Sequence, residues 1–435
     1  MGIRLMSPRK TLLKLTSMAD ALNNIINRKK AHAKFDNGIV GEESNDVNIA
    51  PNLKKYRIYN QKDLSIALGL FNTKSLSKLI DDIGVDGIYL NEKNAKIWRF
   101  NQLAVNKLLE ATGRRLKFVR TDKQSCQVYV VSNLKGGAGK TTSVFNFGAG
   151  LANAVGSFYR VGIIDLDPQG SLSAKLVPYL SPDAFTVSDF LCNDLELDEG
   201  ETFEQIVSES FLETNIPHLR ILPASINDIR FEAHVKNKAS EAFARNESFS
   251  AHDSLEPIIE AVKDQFDIIF IDTPPKVTES VIAAHYSATS LIIPLRPADN
   301  DRDSSAKYLT TLSNVYKTLM NVGHKGYNNV RVVHVGVSNS AVDKEISSQV
   351  NVALNASCLP DFENSEALKK CDAQSLSVFE ISPFDFAKQG ASRKITQNGS
   401  RTQLEAAQVN LTNIALNIEA DMQNVWQNEE CGGEL

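Results

Sequence analysis

The chain is short of cysteine. Five occur in 435 residues, Cys126, Cys192, Cys358, Cys371 and Cys431, and no two form a CxxC pair. That excludes a disulfide framework and a zinc site built on paired thiolates, and it fits a reduced, cytoplasmic protein. No apolar run approaches a membrane span, and no signal peptide is legible. What remains is ordinary for a soluble protein: 42% hydrophobic and 23% charged residues, with length enough for two or three domains.

Charge is unevenly placed. Residues 1–123 hold 23 Lys and Arg against 12 Asp and Glu, net +11, although the whole chain is −5, which leaves −16 for the remainder. A basic first part on an acidic body implies an anionic partner for that part, most simply nucleic acid, against the plainer reading of a solvated basic face.

The most informative segment is Lys135-Gly136-Gly137-Ala138-Gly139-Lys140-Thr141-Thr142. An apolar run, Val128 to Val131, precedes it and reads as a buried strand. Ser143 to Ala154 follows and reads as a helix. A glycine-rich turn between strand and helix aims backbone N–H groups at one spot. The helix N-terminus adds partial positive charge there and Lys140 a full one. Thr141 offers a hydroxyl to Mg²⁺. This is a cradle for a triphosphate. The usual loop has Gly five residues before its last Gly. Here Leu134 holds that position, and an extra lysine, Lys135, stands at the entrance.

The pattern Lys-Gly-Gly-x-Gly-Lys-Thr resembles the deviant Walker A motif of the ParA/MinD ATPases. The resemblance implies that Lys135 reaches phosphate across a dimer interface, while Lys140 serves its own chain. Two further motifs follow in order. Val161 to Ile164 is an apolar strand running into Asp165-Leu166-Asp167-Pro168-Gln169-Gly170. Ile268 to Ile271 is another, ending in Asp272-Thr273-Pro274-Pro275. Carboxylates at the C-terminal ends of parallel strands face the ligand crevice. The family likeness makes Asp272 the Walker B aspartate near Mg²⁺ and Asp167 the residue that positions the attacking water. Asp165 is then a second-shell or metal-water group. Asn339, after the strand expected over Val330–Val337, is a candidate adenine contact. No cysteine lies between Cys192 and Cys358, where an iron–sulfur relative of this class carries its ligands. That argues against a nitrogenase-reductase-like protein.

Ahead of the loop, Ser7 to Ala33 has a helical stripe of Leu15, Met18, Leu22 and Ile25. In large ParA proteins such a helix serves dimerisation; intrachain packing is the alternative. We divide the chain as 1–35 helix, 36–53 linker, 54–120 DNA-binding domain, 124–425 ATPase and 426–435 acidic tail. Tyr56 to Gly113 resembles a winged helix-turn-helix. The expected parts are helices at Gln61–Leu70 and Thr73–Ile83, wing strands at 88–90 and 97–100, and a further helix from Asn101. Lys74, Ser75 and Lys78 lie on the face of the second helix opposite Leu76, Leu79 and Ile80, available to the groove or to phosphate. The alternative is a small helical interaction module.

The fold class is α/β, a mainly parallel sheet flanked by helices, after the N-terminal helix and the winged domain. Further strands are expected at Leu219–Leu222, Ser290–Leu295, Val330–Val337 and Leu376–Phe379. The insert Thr186–Phe211 is acidic and partly helical. Lys388, Arg393 and Lys394 are carried over as contacts to DNA without sequence preference. The last helix, 402–425, has Leu404, Ala407, Leu411, Ile414 and Ile418 on one stripe. It lacks the basic amphipathic end of MinD-type membrane binders. The resemblance therefore implies a large plasmid-type ParA partition ATPase with a nucleoid-associated location. Such a protein binds ATP and Mg²⁺, forms a homodimer or DNA-bound filament, holds nonspecific DNA, and answers to a ParB-like centromere-binding partner. Its winged domain permits operator binding and repression of its own operon. Two other readings are a nucleotide-sensing repressor without a transport role and a soluble metabolic ATPase of the same fold.

Overall fold

The computed structural model describes residues 49–432 apart from 71–72, 86, 91–95, 194, 196, 199, 248, 298, 355–356 and 393–399. The expected N-terminal helix, the linker up to residue 48, part of the helix-turn-helix turn, the wing turn, Arg393 and Lys394 lie outside the described residues.

The first unit comprises β1 (Ile58–Asn60), α1 (Gln61–Ala67), α2 (Thr73–Ile83), β2 (Ile88–Leu90), β3 (Lys96–Asn101) and α3 (Gln102–Ala111). Its sheet is antiparallel with β3 in the middle. Asparagine starts two of its helices: Asn60 accepts the Asp63 N–H and Asn101 the Ala104 N–H, each satisfying one orphan donor. Leu64, Leu76, Ile80, Phe100, Val105 and Leu108 form its core, and Phe158 from the following part of the chain joins that cluster. The unit is therefore packed onto its neighbour, not tethered at a distance.

The second part runs β4 (Leu116–Lys117), β5 (Gln127–Val131), α4 (Lys140–Asn153), β6 (Ser157–Phe158), β7 (Val161–Asp165) and α5 (Ser171–Leu176). Next come α6 (Val187–Leu191), α7 (Phe203–Ser210), β8 (Leu212–Glu213), β9 (Leu219–Leu222), α8 (Arg230–Ala244), α9 (Glu256–Val262) and β10 (Ile268–Asp272). Then follow α10 (Glu279–Ser287), β11 (Ser290–Leu295), α11 (Asp299–Asn321), β12 (Asn329–Val337), α12 (Ala341–Leu354) and β13 (Phe362–Glu363). The chain closes with α13 (Glu366–Ala373), α14 (Pro383–Ser392) and α15 (Arg401–Glu430). Eight strands make one sheet in the order β13-β12-β11-β5-β10-β7-β9-β8, parallel except for β8 on β9.

The central strands are apolar along their whole length because helices cover both faces. Tyr129 and Val131 pack on one face with α4 and α15, while Val128 and Val130 pack on the other with α9 and α10. The insert is partly helical as expected: α6 and α7 bury Val187, Phe190, Ile206 and Val207 in the second of these cores.

Two expectations are corrected. Leu376–Phe379 is a turn, not a strand. Ser375 has φ +58°, and the Glu380 N–H closes the turn on the Ser377 carbonyl at 3.1 Å. Its apolar residues serve packing: Val378 is fully buried in the core that includes Leu404 and Leu411 of α15. The last helix also passes residue 425. Trp426 is buried, stacks on Phe118 at 4.6 Å and donates to the Ser125 carbonyl at 2.8 Å, so residues 426–430 are helix and not tail.

His285 of α10 gives the fold a pH dependence. It is fully buried, 2.9 Å from the Tyr327 hydroxyl, and burial, aided by His324, pushes its pKa down to about 4. The unfolded chain takes up this proton first, near pH 6.5, so stability is intact above that value and is lost as pH falls toward 4. The expected loss between pH 7 and pH 5 is about 2 kcal/mol. Urea unfolding at the two pH values checks it, and His285→Gln should flatten the difference.

Candidate active site

The site sits at the C-terminal ends of β5, β7 and β10. Parallel pairing puts Asp272 level with Val131 on one side and Asp165 on the other. The loop 134–139 follows β5 and turns into α4. Gly137 (φ +74°) and Gly139 (φ +97°) are left-handed, a conformation costly for other residues. At Gly139 a Cβ would also lie 2.6 Å from Val335 Cγ1, so the loop seats against β12 only because a glycine is there. At Gly136 and Gly137 a Cβ would meet nothing within 4 Å, so this part of the loop faces open space. No side chain caps α4, which leaves its positive end to an anion.

Asn133 shapes the loop, and the sequence reading passed over it. Its amide donates to the Pro294 carbonyl at 2.8 Å and its oxygen accepts the Lys135 N–H at 2.9 Å. The signal was available: an Asn two residues past an apolar strand and just ahead of a glycine run. Lys140 is buried and donates to the Asn133 carbonyl at 2.9 Å. Burial lowers its pKa, against the pull of Asp272 and Asp167.

Thr141 Oγ1 donates to Asp272 Oδ2 at 2.7 Å. Asp272 is fully buried, and its Oδ1 has no hydrogen-bond partner among the described residues. Burial, then the neighbouring Asp165, raises its pKa well above the ordinary carboxylate value. An orphaned buried carboxylate oxygen beside a threonine hydroxyl is a donor set that suits a hard divalent cation.

Asp165 is also fully buried, and burial lifts its pKa to about 6. Both oxygens are engaged by the chain. Oδ1 accepts the Asp167 N–H at 3.1 Å; Oδ2 accepts the Ser173 N–H at 3.0 Å and the Ser173 hydroxyl at 2.7 Å. It clamps the turn that carries Asp167 onto α5. Ser173 is a second residue the sequence reading missed, because a serine inside a short helix gives no motif signal. Asp167 itself is half-buried and accepts the Gln169 N–H at 3.0 Å. A cavity of about 340 Å³ lies beside it, lined by Asp167, Gln169, Phe231 and Pro274 among others; no residue of the 134–142 loop lines it.

The structure thus gathers residues 135–142, Asp165, Asp167 and Asp272. Asn339 is exposed in the turn beyond β12. Ser75 and Lys78 are exposed on α2, which also carries Lys74, while Leu76 and Ile80 are buried beneath them. Lys388 lies in α14. Arg99 of β3 stacks over Phe384 of α14 at 5.5 Å, so the first unit rests against that helix.

Residues 126–323 match an AAA domain family. The chain is 28% identical to plasmid partition protein A of Escherichia coli over 45% of its own length and 48% of that protein's. It is 29% identical to a protein of Rhizobium rhizogenes, provisionally named replication protein A, over 51% of this chain and 53% of that one. Over about half its length the chain is therefore similar to plasmid partition and replication proteins. It spans about half the length of the curated relatives it matches. At the level of fold, a solved structure described as a partition protein superposes with a TM-score of 0.54 and 19% identity, covering 82% of this chain and 94% of the other. None of the described helices is long and apolar enough to cross a membrane.

Proposed function

We propose that this chain is a ParA-type, ATP-dependent DNA partition ATPase. It takes up ATP with Mg²⁺ at the 135–142 loop, pairs with a second copy, holds DNA without sequence preference, and releases it after hydrolysis stimulated by a ParB-like partner. One observation carries this reading: the Thr141 hydroxyl and the orphaned Asp272 oxygen stand together at the start of α4, next to Lys140. Thr141 and Asp272 would hold the cation, with Asp165 acting through its neighbours. The cation's part is to neutralise charge on the β- and γ-phosphates. Lys140 and the loop N–H groups bind the phosphates. Lys135, at the loop entrance, reaches the phosphates of the paired copy. Asp167 orients the attacking water. Asn339 contacts the base. Phosphoryl transfer needs positioning and charge neutralisation more than covalent help, and these residues provide both.

The winged unit supports a second role at operator DNA. Lys74, Ser75 and Lys78 of α2 supply contacts there, and Lys388, Arg393 and Lys394 serve DNA without sequence preference. Location at the nucleoid follows from that binding.

The test is steady-state turnover of Mg-ATP by the full chain, alone and with its neighbouring centromere-binding protein and DNA. Basal turnover is expected to be slow, below about 1 s⁻¹, at the low end of enzyme rates. It should rise when the partner is added. Nucleotide-gated operator binding with no turnover under either condition would favour a repressor that only senses nucleotide.

A further inference from the structure

The cavity beside the Asp167 turn has its own walls and its own chemistry. Val187, Ser188 and Leu191 of α6 form one side of it, so the insert has a structural task there. The rim is apolar too. Ile229 lines the cavity and is exposed, Ile226 is exposed one turn earlier, and Val277 is exposed between the lining residues Lys276 and Thr278. Exposed apolar side chains gathered round a cavity of about 340 Å³ mark a contact surface. The ionisable groups are mostly of one kind. Asp228 is held by the Thr186 and Ser188 hydroxyls, each at 2.7 Å, and Glu232 accepts the Glu279 and Ser280 N–H groups at 3.2 and 3.3 Å. With Asp167 they make three carboxyl groups, against a single lining cation, the exposed Lys276.

The matching chemistry is a basic side chain on an aliphatic stem, with apolar residues beside it. The chain carries such a stretch outside the described residues. Residues 1–34 hold eight Lys and Arg and one Asp, and Ile25-Ile26-Asn27-Arg28-Lys29-Lys30 sets two apolar residues next to three cations. Its point of entry into the fold is close to the cavity. Asn52 donates to the Leu176 carbonyl at 2.6 Å, and the buried Lys54 ammonium donates to the Lys175 carbonyl at 3.0 Å and to Glu380 Oε1 at 2.6 Å. Lys175 and Leu176 end α5. At the other end of that helix Gly170 closes the Asp167 turn, its N–H donating to the Asp167 carbonyl at 2.8 Å. Six helical residues rise about 9 Å. The chain ahead of Asn52 therefore joins the fold one short helix away from the cavity. The linker ahead of it reaches several times farther, at about 3.3 Å per extended residue.

We infer that this cavity receives the basic stretch around Arg28–Lys30 of the same chain, and that the docked stretch restrains the Asp167 turn and slows basal hydrolysis. The docking stands on the cavity, its carboxyl groups and the point of entry. Its effect on hydrolysis rests on the function proposed above, because Asp167 is the residue given the attacking water there.

Zero-length carbodiimide cross-linking of the full wild-type chain, read by peptide mass spectrometry, tests the docking. Light and heavy isotope forms are mixed, so links within a chain and between chains are told apart. Amide links from Lys29 or Lys30 to Asp167 or Glu232 within one chain are expected. Links from these carboxylates to no lysine of residues 1–34 would overturn the docking. Links found only between light and heavy chains would overturn it too, and would give the cavity to a second copy. The full chain carrying Arg28→Glu, Lys29→Glu and Lys30→Glu tests the restraint. Its hydrogen exchange in residues 187–191 and 226–232 should be faster than wild type. Its basal Mg-ATP turnover should rise by about fivefold, the lower end of ordinary couplings between sites. Exchange and turnover both equal to wild type would overturn the restraint. No turnover in either protein, with the cross-links present, would sink the ATPase reading and leave the docking standing.

Discussion

Lys140→Ala should lower ATP affinity by about 100-fold, because a charge-assisted bond to phosphate contributes roughly 1.5–3 kcal/mol and the replacement also leaves buried carboxylates without a nearby cation. Lys140 is the cation that Asp272 and Asp167 both feel. It is already seated, donating to the Asn133 carbonyl, so binding a triphosphate requires little reordering of its side chain. Lys135 should behave differently. It stands at the loop entrance, half-buried, with its N–H fixed by Asn133. Lys135→Ala should hold ATP within about threefold of wild type, below the loss expected for a charged contact, yet lose hydrolysis and ATP-dependent pairing. Calorimetric titration with ATP separates the two variants. Normal affinity in Lys140→Ala would reject it as the loop lysine. A Lys135→Ala protein that loses affinity as severely would make Lys135 a contact to its own nucleotide.

Asp167→Ala should have the second large effect. Asp167 is the carboxylate at this site that is neither fully buried nor bonded to Thr141 or Ser173, and its turn is held in place from below by Asp165. A positioned carboxylate that orients or activates water contributes about 100-fold or more to rate. Turnover should fall by that factor while ATP binding persists, because the loop and the Thr141–Asp272 pair are untouched. The variant should accumulate as an ATP-bound dimer that stays on DNA. Asp165→Ala should also slow turnover, with a different cause: the Asp167 turn and α5 lose their clamp, so thermal stability falls together with rate.

The nucleotide loop was legible because its chemistry is local. Strand, glycine run and helix are contiguous, and Asp167 and Asp272 follow strands whose apolar runs announce a sheet covered on both faces. The strands at Leu219–Leu222 and Ser290–Leu295 were legible for the same reason. Leu376–Phe379 misled because a short apolar run reads alike in a strand and in a turn that plugs a core. Trp426 was placed in the tail because nearby Glu429 and Glu430 look solvent-bound, yet Glu429 accepts the Ser125 N–H at 2.9 Å. The contact of Lys54 with Glu380, 326 positions away, could not be read at all, because no spacing rule encodes such a pair.

The measurement closest to the central claim is binding to random-sequence duplex DNA by the wild type and by Asp167→Ala, with Mg-ATP and with Mg-ADP, over a salt series. The chain is acidic overall, so a single copy is poorly attracted to DNA, and pairing on ATP aligns two copies of any basic surface. Tight binding is predicted with ATP and weak binding with ADP. Affinity should fall with salt by a slope of about −0.9 per phosphate contacted, and Asp167→Ala should remain bound after wild type has released. Equal affinity with ATP and ADP, or affinity indifferent to salt, would contradict the account.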